Sequence, residues 1–323
     1  MPLIQSTYKT NWFYKNTHIN TILASLARNA PQLKYERERL ELLDGDFIDI
    51  DWLKENASKK LVIVLSGLEG NSQKKYMLGA MSLFSKNNYH AVALNHRSCS
   101  GEDNRLLCTY HTGFTDDLRF LIECVTKENK YEEIFLVGYS LGGNVVLKYA
   151  GEEGENINPI IKKVIGVSVP AELGSSSKFF ERPYNYLYMQ KFFLTLKPKA
   201  KVKAKKFPHT FDLQKVLSAK TFSDFDEYFT APTNGFKNAI DYYTKSSSLP
   251  YLKKIKIPAL LIIAKDDTFV SPESYPTELA QKSKSFHFIS PDNGGHCGFM
   301  PQDKNKTIWI EREILKFMMT DAT

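Results

Sequence analysis

Short apolar runs recur along the chain with amphipathic stretches between them, and this rhythm limits what the polypeptide can become. The runs are Leu61–Leu65, Ala91–Leu94, Ile134–Val137, Val164–Val169, Leu260–Ile263 and Phe286–Ile289. Each is nearly continuous rather than alternating, which predicts strands buried on both faces. Between them Lys74–Phe84, Thr115–Thr126 and Asn144–Ala150 carry helical periodicity, and Lys306–Met319 closes the chain in the same way. Strands buried on both faces and separated by helices predict a mainly parallel, twisted sheet with helices on either side.

Two regions depart from that rhythm. Near the start, Tyr35–Leu43 and Phe47–Trp52 flank Asp44-Gly45-Asp46, and an Asp-Gly pair between such segments signals a hairpin. Residues 1–57 are therefore read as a leading segment with antiparallel strands. From about Ala171 to Pro250 no strand pattern occurs; the stretch is rich in aromatic residues and lysine, with helical pieces at Tyr184–Leu196 and Ser223–Tyr228. An interruption of this kind predicts a helical cap inserted over the carboxyl edge of the sheet, where open α/β folds bind ligands. The expected division is a core of 58–170 and 251–323, with the cap at 171–250.

The length, 323 residues, fits one such core with an insertion, and 42% hydrophobic with 24% charged residues is an ordinary globular composition. Met1–Asn16 has no signal-peptide pattern, and no window approaches the roughly 18 apolar residues of a membrane span. Cys99, Cys108, Cys124 and Cys297 lack paired metal-site spacing and read as reduced thiols, so the expected location is the cytoplasm. The net charge of +7 owes much to six lysines between Lys197 and Lys206. This run reads first as a solvated face; the alternative is peripheral contact with an anionic membrane. No nucleic-acid motif accompanies it.

The chemistry centres on Ile134-Phe-Leu-Val-Gly138-Tyr139-Ser140-Leu141-Gly142-Gly143-Asn144, a strand, a G-x-S-x-G turn and a helix. That context marks a nucleophile elbow, in which the serine takes strained backbone angles and flanking glycines let neighbouring backbone approach. The hydroxyl of Ser140 then stands at the amino end of a helix, whose partial positive charge favours developing negative charge.

A serine hydroxyl is a poor nucleophile at neutral pH and needs a base, itself oriented by a carboxylate. In this fold the chain order is serine, acid, histidine. After Leu260–Ile263 comes Ala264-Lys265-Asp266-Asp267-Thr268-Phe269-Val270, and the strand-G-x-x-D register, with Ala264 for glycine, selects Asp267 over Asp266. Of the seven histidines, His296 follows the acid in the glycine-rich stretch Asn293–Gly298, whereas His96 and His111 precede the serine and His287 lies inside a strand run. The oxyanion needs two N–H donors. Leu141, just after the nucleophile, and Leu68, in Leu65-Ser-Gly67-Leu68-Glu-Gly70, are the expected pair. Cys297 reads as packing.

These residues resemble the YheT-like group of α/β hydrolases, which includes the eukaryotic abhydrolase-domain lipases and esterases. The likeness covers Asn16-Thr-His18-x-x-Thr21, Asp44–Trp52, Gly67–Gly70, Asn95–Gly101, Tyr110–Gly113 and Gly138–Asn144. It continues through Phe225-Asp226, Thr230–Pro232, Gly235-Phe236, Tyr242-Tyr243, Ala264–Asp267 and Gly294–Phe299. The resemblance implies an α/β-hydrolase fold and hydrolysis of carboxylic esters, such as acylglycerols or phospholipids, with no metal or organic cofactor. It also marks two departures: Ser66 stands where the group has histidine, and Ser98 where it has glycine. Arg97 and His111 match group positions, as structural support or substrate contacts.

The expected reaction is acyl transfer through Ser140 to water. The same side chains would serve an acyltransferase, and a binding protein could keep the fold without turnover. The aromatic residues Phe179, Phe180, Tyr184, Tyr186, Tyr188, Phe192 and Phe193 are candidates for an acyl pocket, or for core.

Overall fold

The hairpin at Asp44-Gly45-Asp46 begins the sheet's antiparallel edge. The computed structural model describes residues 3–26, 28, 30–301 and 308–320. Ahead of the hairpin lie the short strand β1 (Leu3–Ile4) and helix α1 (Thr17–Leu26). β2 (Glu36–Glu41) then pairs antiparallel with β3 (Phe47–Leu53), so that Arg37 faces Asp51 and Arg39 faces Asp49. These directly opposed residues make two-pronged ion pairs with shortest contacts of 2.7 Å each, which lets both aspartates lie buried. On the other face of β3, Ile48, Ile50 and Trp52 enter the core. β2, charged at nearly every position, blunts the exposed edge.

The parallel strands follow: β4 (Lys60–Leu65), β5 (His90–Asn95), β6 (Glu133–Tyr139), β7 (Ile161–Val167), β8 (Ala259–Ile262) and β9 (Phe286–Ile289). Among the described residues the nine strands form one sheet in the order β1-β9-β8-β7-β6-β4-β5-β3-β2. Helices α2 (Lys75–Lys86), α3 (Asp116–Lys127) and α4 (Leu141–Glu153) connect successive strands. Two hydrophobic layers result, one on each face of the sheet. The closing helix spans Trp309–Met319; Lys306 and Thr307 of the expected helix lie outside the described residues. The result is a mainly parallel sheet with helices on both faces, as the strand rhythm predicts.

Three local outcomes differ from expectation. β1 is absent from the sequence pattern, because two residues carry no periodicity, yet it extends the sheet by pairing with β9. β7 ends at Val167 rather than Val169, since Ser168 turns out of the strand at φ 51°. Between β7 and β8 the chain runs through α5 (Leu173–Phe180), α6 (Tyr186–Lys206) and shorter helical pieces, and α6 continues well past Leu196, through Pro198. The expected piece at Ser223–Tyr228 lies in a helix, Phe222–Phe225, that widens into a π turn over Asp226–Thr230. These helices enclose an aromatic core of their own.

The lysine run of α6 is not a single solvated face. Lys199, Lys203 and Lys206 recur at helical spacing and turn toward the sheet. There Lys199 pairs with Glu69 at 2.7 Å, and Lys203 and Lys206 donate to the carbonyl of Asn104. Lys197 donates to the carbonyls of Leu217 and Ala219. Lys201 and Lys205 remain exposed. Four of the charges thus fasten the helix rather than solvate it.

Candidate active site

Ser140 sits between β6 and α4 at φ 51° and ψ −117°, a conformation that costs a non-glycine residue free energy and is held by its surroundings. Its N–H donates to Val167 on β7 (2.7 Å), and its carbonyl receives the Asn144 N–H of α4 (3.1 Å). The turn is tight enough that a Cβ on Gly142 would stand 2.5 Å from the Ser66 carbonyl oxygen, so only glycine fits.

The loop after β9 brings His296 to this serine. Nε2 lies 2.9 Å from Ser140 Oγ, while Nδ1 is 2.9 and 3.1 Å from the two carboxylate oxygens of Asp267. The Asp267 side chain is completely buried and also accepts the Phe269 N–H at 2.9 Å. With Nδ1–H donating to the carboxylate, Nε2 is free to accept the serine proton. Phe269 stacks on the imidazole at 4.3 Å between ring centroids. Asp266, the competing acid, instead accepts the Gly295 N–H at 2.9 Å, and burial raises its pKa. Burial likewise pushes the Cys297 thiol up to about 12, so it is no nucleophile near neutrality.

The two expected oxyanion donors border the same cavity as Ser140 and His296. Leu141 is the first residue of α4, so its N–H has no acceptor within the helix. In the turn after β4 the neighbouring amides are committed: Gly67 donates to Tyr76 Oη (2.9 Å), Glu69 to Tyr110 Oη (2.9 Å) and Gly70 to the Gly67 carbonyl (2.9 Å). Of the four amides from Gly67 to Gly70, that of Leu68 is the one with no partner among the described residues. Glu69 holds a left-handed φ of 56°. Its carboxylate accepts Tyr110 Oη–H and Lys199 Nζ–H at 2.7 Å each, tying the turn to α6.

The support for the histidine loop comes from α1, which the sequence reading singled out only as a motif without a role. Thr21 Oγ1 accepts the His296 N–H (2.9 Å), Thr17 Oγ1 donates to the Asp266 carbonyl (2.6 Å), and Asn20 Oδ1 accepts the Met300 N–H (3.1 Å). Arg28 donates to the Gly298 carbonyl at 3.1 Å. Gly295, at φ 59°, packs so closely that a Cβ would lie 2.5 Å from Thr21 Oγ1. The signal that could have assigned these roles is polar residues at i, i+3 and i+4 on a short helix whose other residues are mostly apolar.

Other expected residues divide. Arg97 pairs with Asp117 (2.7 Å) and Asp44 (2.8 Å), joining the hairpin turn to α3, and it also borders the cavity. His111 is part-buried at the cavity wall, edge-on to Phe236 and Tyr242, and desolvation lowers its pKa to about 3. His287 lies in β9. Ser98 takes φ 61°, where glycine would be unstrained, and is held by hydrogen bonds with Asn104. Ser66 is fully buried, and its carbonyl receives the His96 Nε2–H at 2.9 Å. Of the aromatic candidates for an acyl pocket, Phe180 and Phe192 line the cavity. Phe193 is in the core beneath α6, whereas Tyr184 and Tyr186 face outward. The cavity is completed by Leu173, Leu196, Phe222, Phe225, Phe229 and Phe269, with Asp226, Tyr242 and Tyr243 among the polar groups. Among the described residues no cluster of histidine, cysteine, aspartate or glutamate is placed to hold a metal ion.

A central parallel sheet, a strained serine between strand and helix, and a histidine delivered after the last strand define the α/β hydrolases. Comparison with known proteins agrees. The profile of the α/β hydrolase fold family matches residues 60–303. YheT of Escherichia coli (strain K12), provisionally named an esterase, is 32% identical over 319 residues, which span 95% of this chain and 91% of YheT. Phospholipase ABHD3 of Mus musculus is 29% identical over 309 residues, or 93% of this chain and 74% of that protein. Among solved structures, an esterase of Pyrococcus furiosus superposes with a TM-score of 0.56 at 18% identity, covering 90% of this chain and 97% of its own, a likeness of fold. The chain belongs to the α/β-hydrolase fold family and, within it, to the group that contains YheT.

Proposed function

We propose that the chain is a carboxylic ester hydrolase that works through an acyl-enzyme on Ser140. The observation that carries this reading is the hydrogen-bonded series from Ser140 Oγ through His296 to buried Asp267, with contacts of 2.9 Å on both sides of the imidazole. As Ser140 Oγ attacks the ester carbonyl carbon, its proton passes to His296 Nε2, and the imidazolium is stabilised by Asp267. The carbonyl oxygen becomes an oxyanion beside the N–H groups of Leu68 and Leu141. Collapse of the tetrahedral species breaks the ester C–O bond, and the departing alkoxide takes the proton from His296. Water then attacks the acyl-serine, giving its proton to His296; the second tetrahedral species releases the carboxylic acid and returns the proton to Ser140.

The helical segment over the sheet, 171–250, acts in this reading as a cap that shapes the acyl site. Its phenylalanines give the cavity an apolar wall suited to a hydrocarbon chain, and the names of the relatives, esterase and phospholipase, agree with ester substrates.

The test is covalent labelling by a fluorophosphonate together with turnover of p-nitrophenyl and glycerol esters of graded chain length. Labelling and turnover should both disappear in Ser140→Ala; an unlabelled, inactive wild type would overturn the reading in favour of a binding protein.

A further inference from the structure

Acidic residues are spread through most of the chain, yet none occurs before Glu36 and none between Glu181 and Asp212. These two acid-free segments meet in space. His18 of α1 stacks on Tyr188 of α6 at 5.7 Å between centroids, and its Nδ1 lies 3.2 Å from Tyr188 Oη. Ile22 and Leu26 continue from His18 at helical spacing on α1, and both are exposed. On the adjoining surface Leu187 is 79% and Leu194 76% exposed, one helical stripe of α6 that also carries Lys191, Lys201 and Lys205. Trp12, just ahead of α1, is 82% exposed. Scattered apolar side chains are ordinary on a protein surface, but a cluster interspersed with lysine and tyrosine, carried by two segments that contain no carboxylate side chain, is not.

We propose that this surface docks on an anionic lipid membrane. Leucine, isoleucine and tryptophan side chains gain by entering the boundary between headgroups and acyl chains, while lysines beside them meet the negative surface potential. Among the described residues no ion pair engages the amino groups of Lys191, Lys201 or Lys205, so these charges are available to headgroups. The surface also borders the reacting groups. Tyr188 packs on Phe269 at 4.9 Å, Phe269 stacks on His296, and Phe192, one turn beyond Tyr188 on α6, lines the cavity. Docked in this way, the chain would take its ester from the lipid layer rather than from free solution. This inference rests on the ester-hydrolase reading for its purpose, but not for its measurement.

The experiment uses the full chain carrying Ser140→Ala, so that binding is separated from turnover. It is sedimented with vesicles of phosphatidylcholine alone and with about one third phosphatidylglycerol. The expected result is co-sedimentation with the anionic vesicles that weakens with salt. Adding Leu187→Glu and Leu194→Glu should reduce vesicle affinity roughly tenfold or more, because two insertable side chains become repulsive. In the parent with Ser140 intact, the same pair should leave hydrolysis of a soluble p-nitrophenyl ester unchanged. Absence of sedimentation at low salt, or binding indifferent to the leucine substitutions, overturns the proposal. So does a concentration-dependent dimer that those substitutions dissolve, because a second copy would then be the occupant. An inactive parent that still binds vesicles would instead fault the hydrolase reading alone.

Discussion

At the scale of single residues, adjacent aspartates are given unlike work by geometry alone. Asp267 faces the imidazole, whereas Asp266 faces a backbone amide of the loop that carries it. Replacing Asp267 by Asn removes the charge that steadies the imidazolium and permits the wrong tautomer, so kcat should fall by about 10³–10⁴. Asp266→Asn keeps an acceptor for the Gly295 N–H, and kcat should fall less than about tenfold. Steady-state kinetics on a soluble ester checks both, and comparable losses would mean that the acid had been misassigned. This distinction is legible in the sequence because strand end, spacing and following valine set the register. Likewise Ser140 and His296 are legible from glycine-bracketed turns and chain order. The parts hidden from the sequence are those made by distant contacts. Nothing near Thr21 indicates that its hydroxyl will accept an amide nearly the whole chain away.

At the scale of elements, the turn after β4 and helix α6 act as a unit. Glu69 is left-handed, and its side chain is mostly buried, with 8% exposure, between Tyr110 and Lys199. Lys199→Met would leave that carboxylate with two neutral donors, the Tyr110 hydroxyl and the Cys99 thiol, and let the turn relax. The expected cost is about 1–2 kcal/mol of stability, discounted because the lysine is partly exposed. The turn presents the Leu68 N–H, so kcat should drop about tenfold with KM little changed, and Lys199→Arg should recover most of it. A change confined to KM would show that Lys199 contacts substrate instead. The strands of the sheet are readable from their apolar runs, whereas α6 is not readable as one helix. Pro198 and a dense lysine run argue against continuation, but the proline lies on the exposed side and the lysines find acceptors on the core. Tertiary bonding overrides local preference there.

At the scale of the whole molecule, buried imidazoles couple stability to pH. His96 is fully buried, stacked on Tyr110 at 4.9 Å, and burial pushes its pKa down to about 4 from 6.5. The unfolded chain therefore binds a proton that the native chain refuses throughout that interval, and stability is lost as pH falls through it. Between about pH 6 and about pH 4.5 the wild type should lose roughly 1.4 kcal/mol per pH unit more than His96→Asn, read from urea unfolding. The buried carboxyls of Asp117 and Asp226, raised to about 6 by burial, work in the opposite direction but cancel in this comparison. Equal slopes would mean that His96 is protonated in the native state. The clasp of α1 on the histidine loop has a consequence of another kind, for synthesis. A chain emerging from the ribosome carries its proposed nucleophile at residue 140 long before the imidazole at 296 is made, and the helix that will hold the loop of that imidazole waits from the outset without its partner. The proposed chemistry therefore cannot begin on a partial product, and a nascent chain should gain the capacity to react with ester only once the loop after β9 has closed back onto α1.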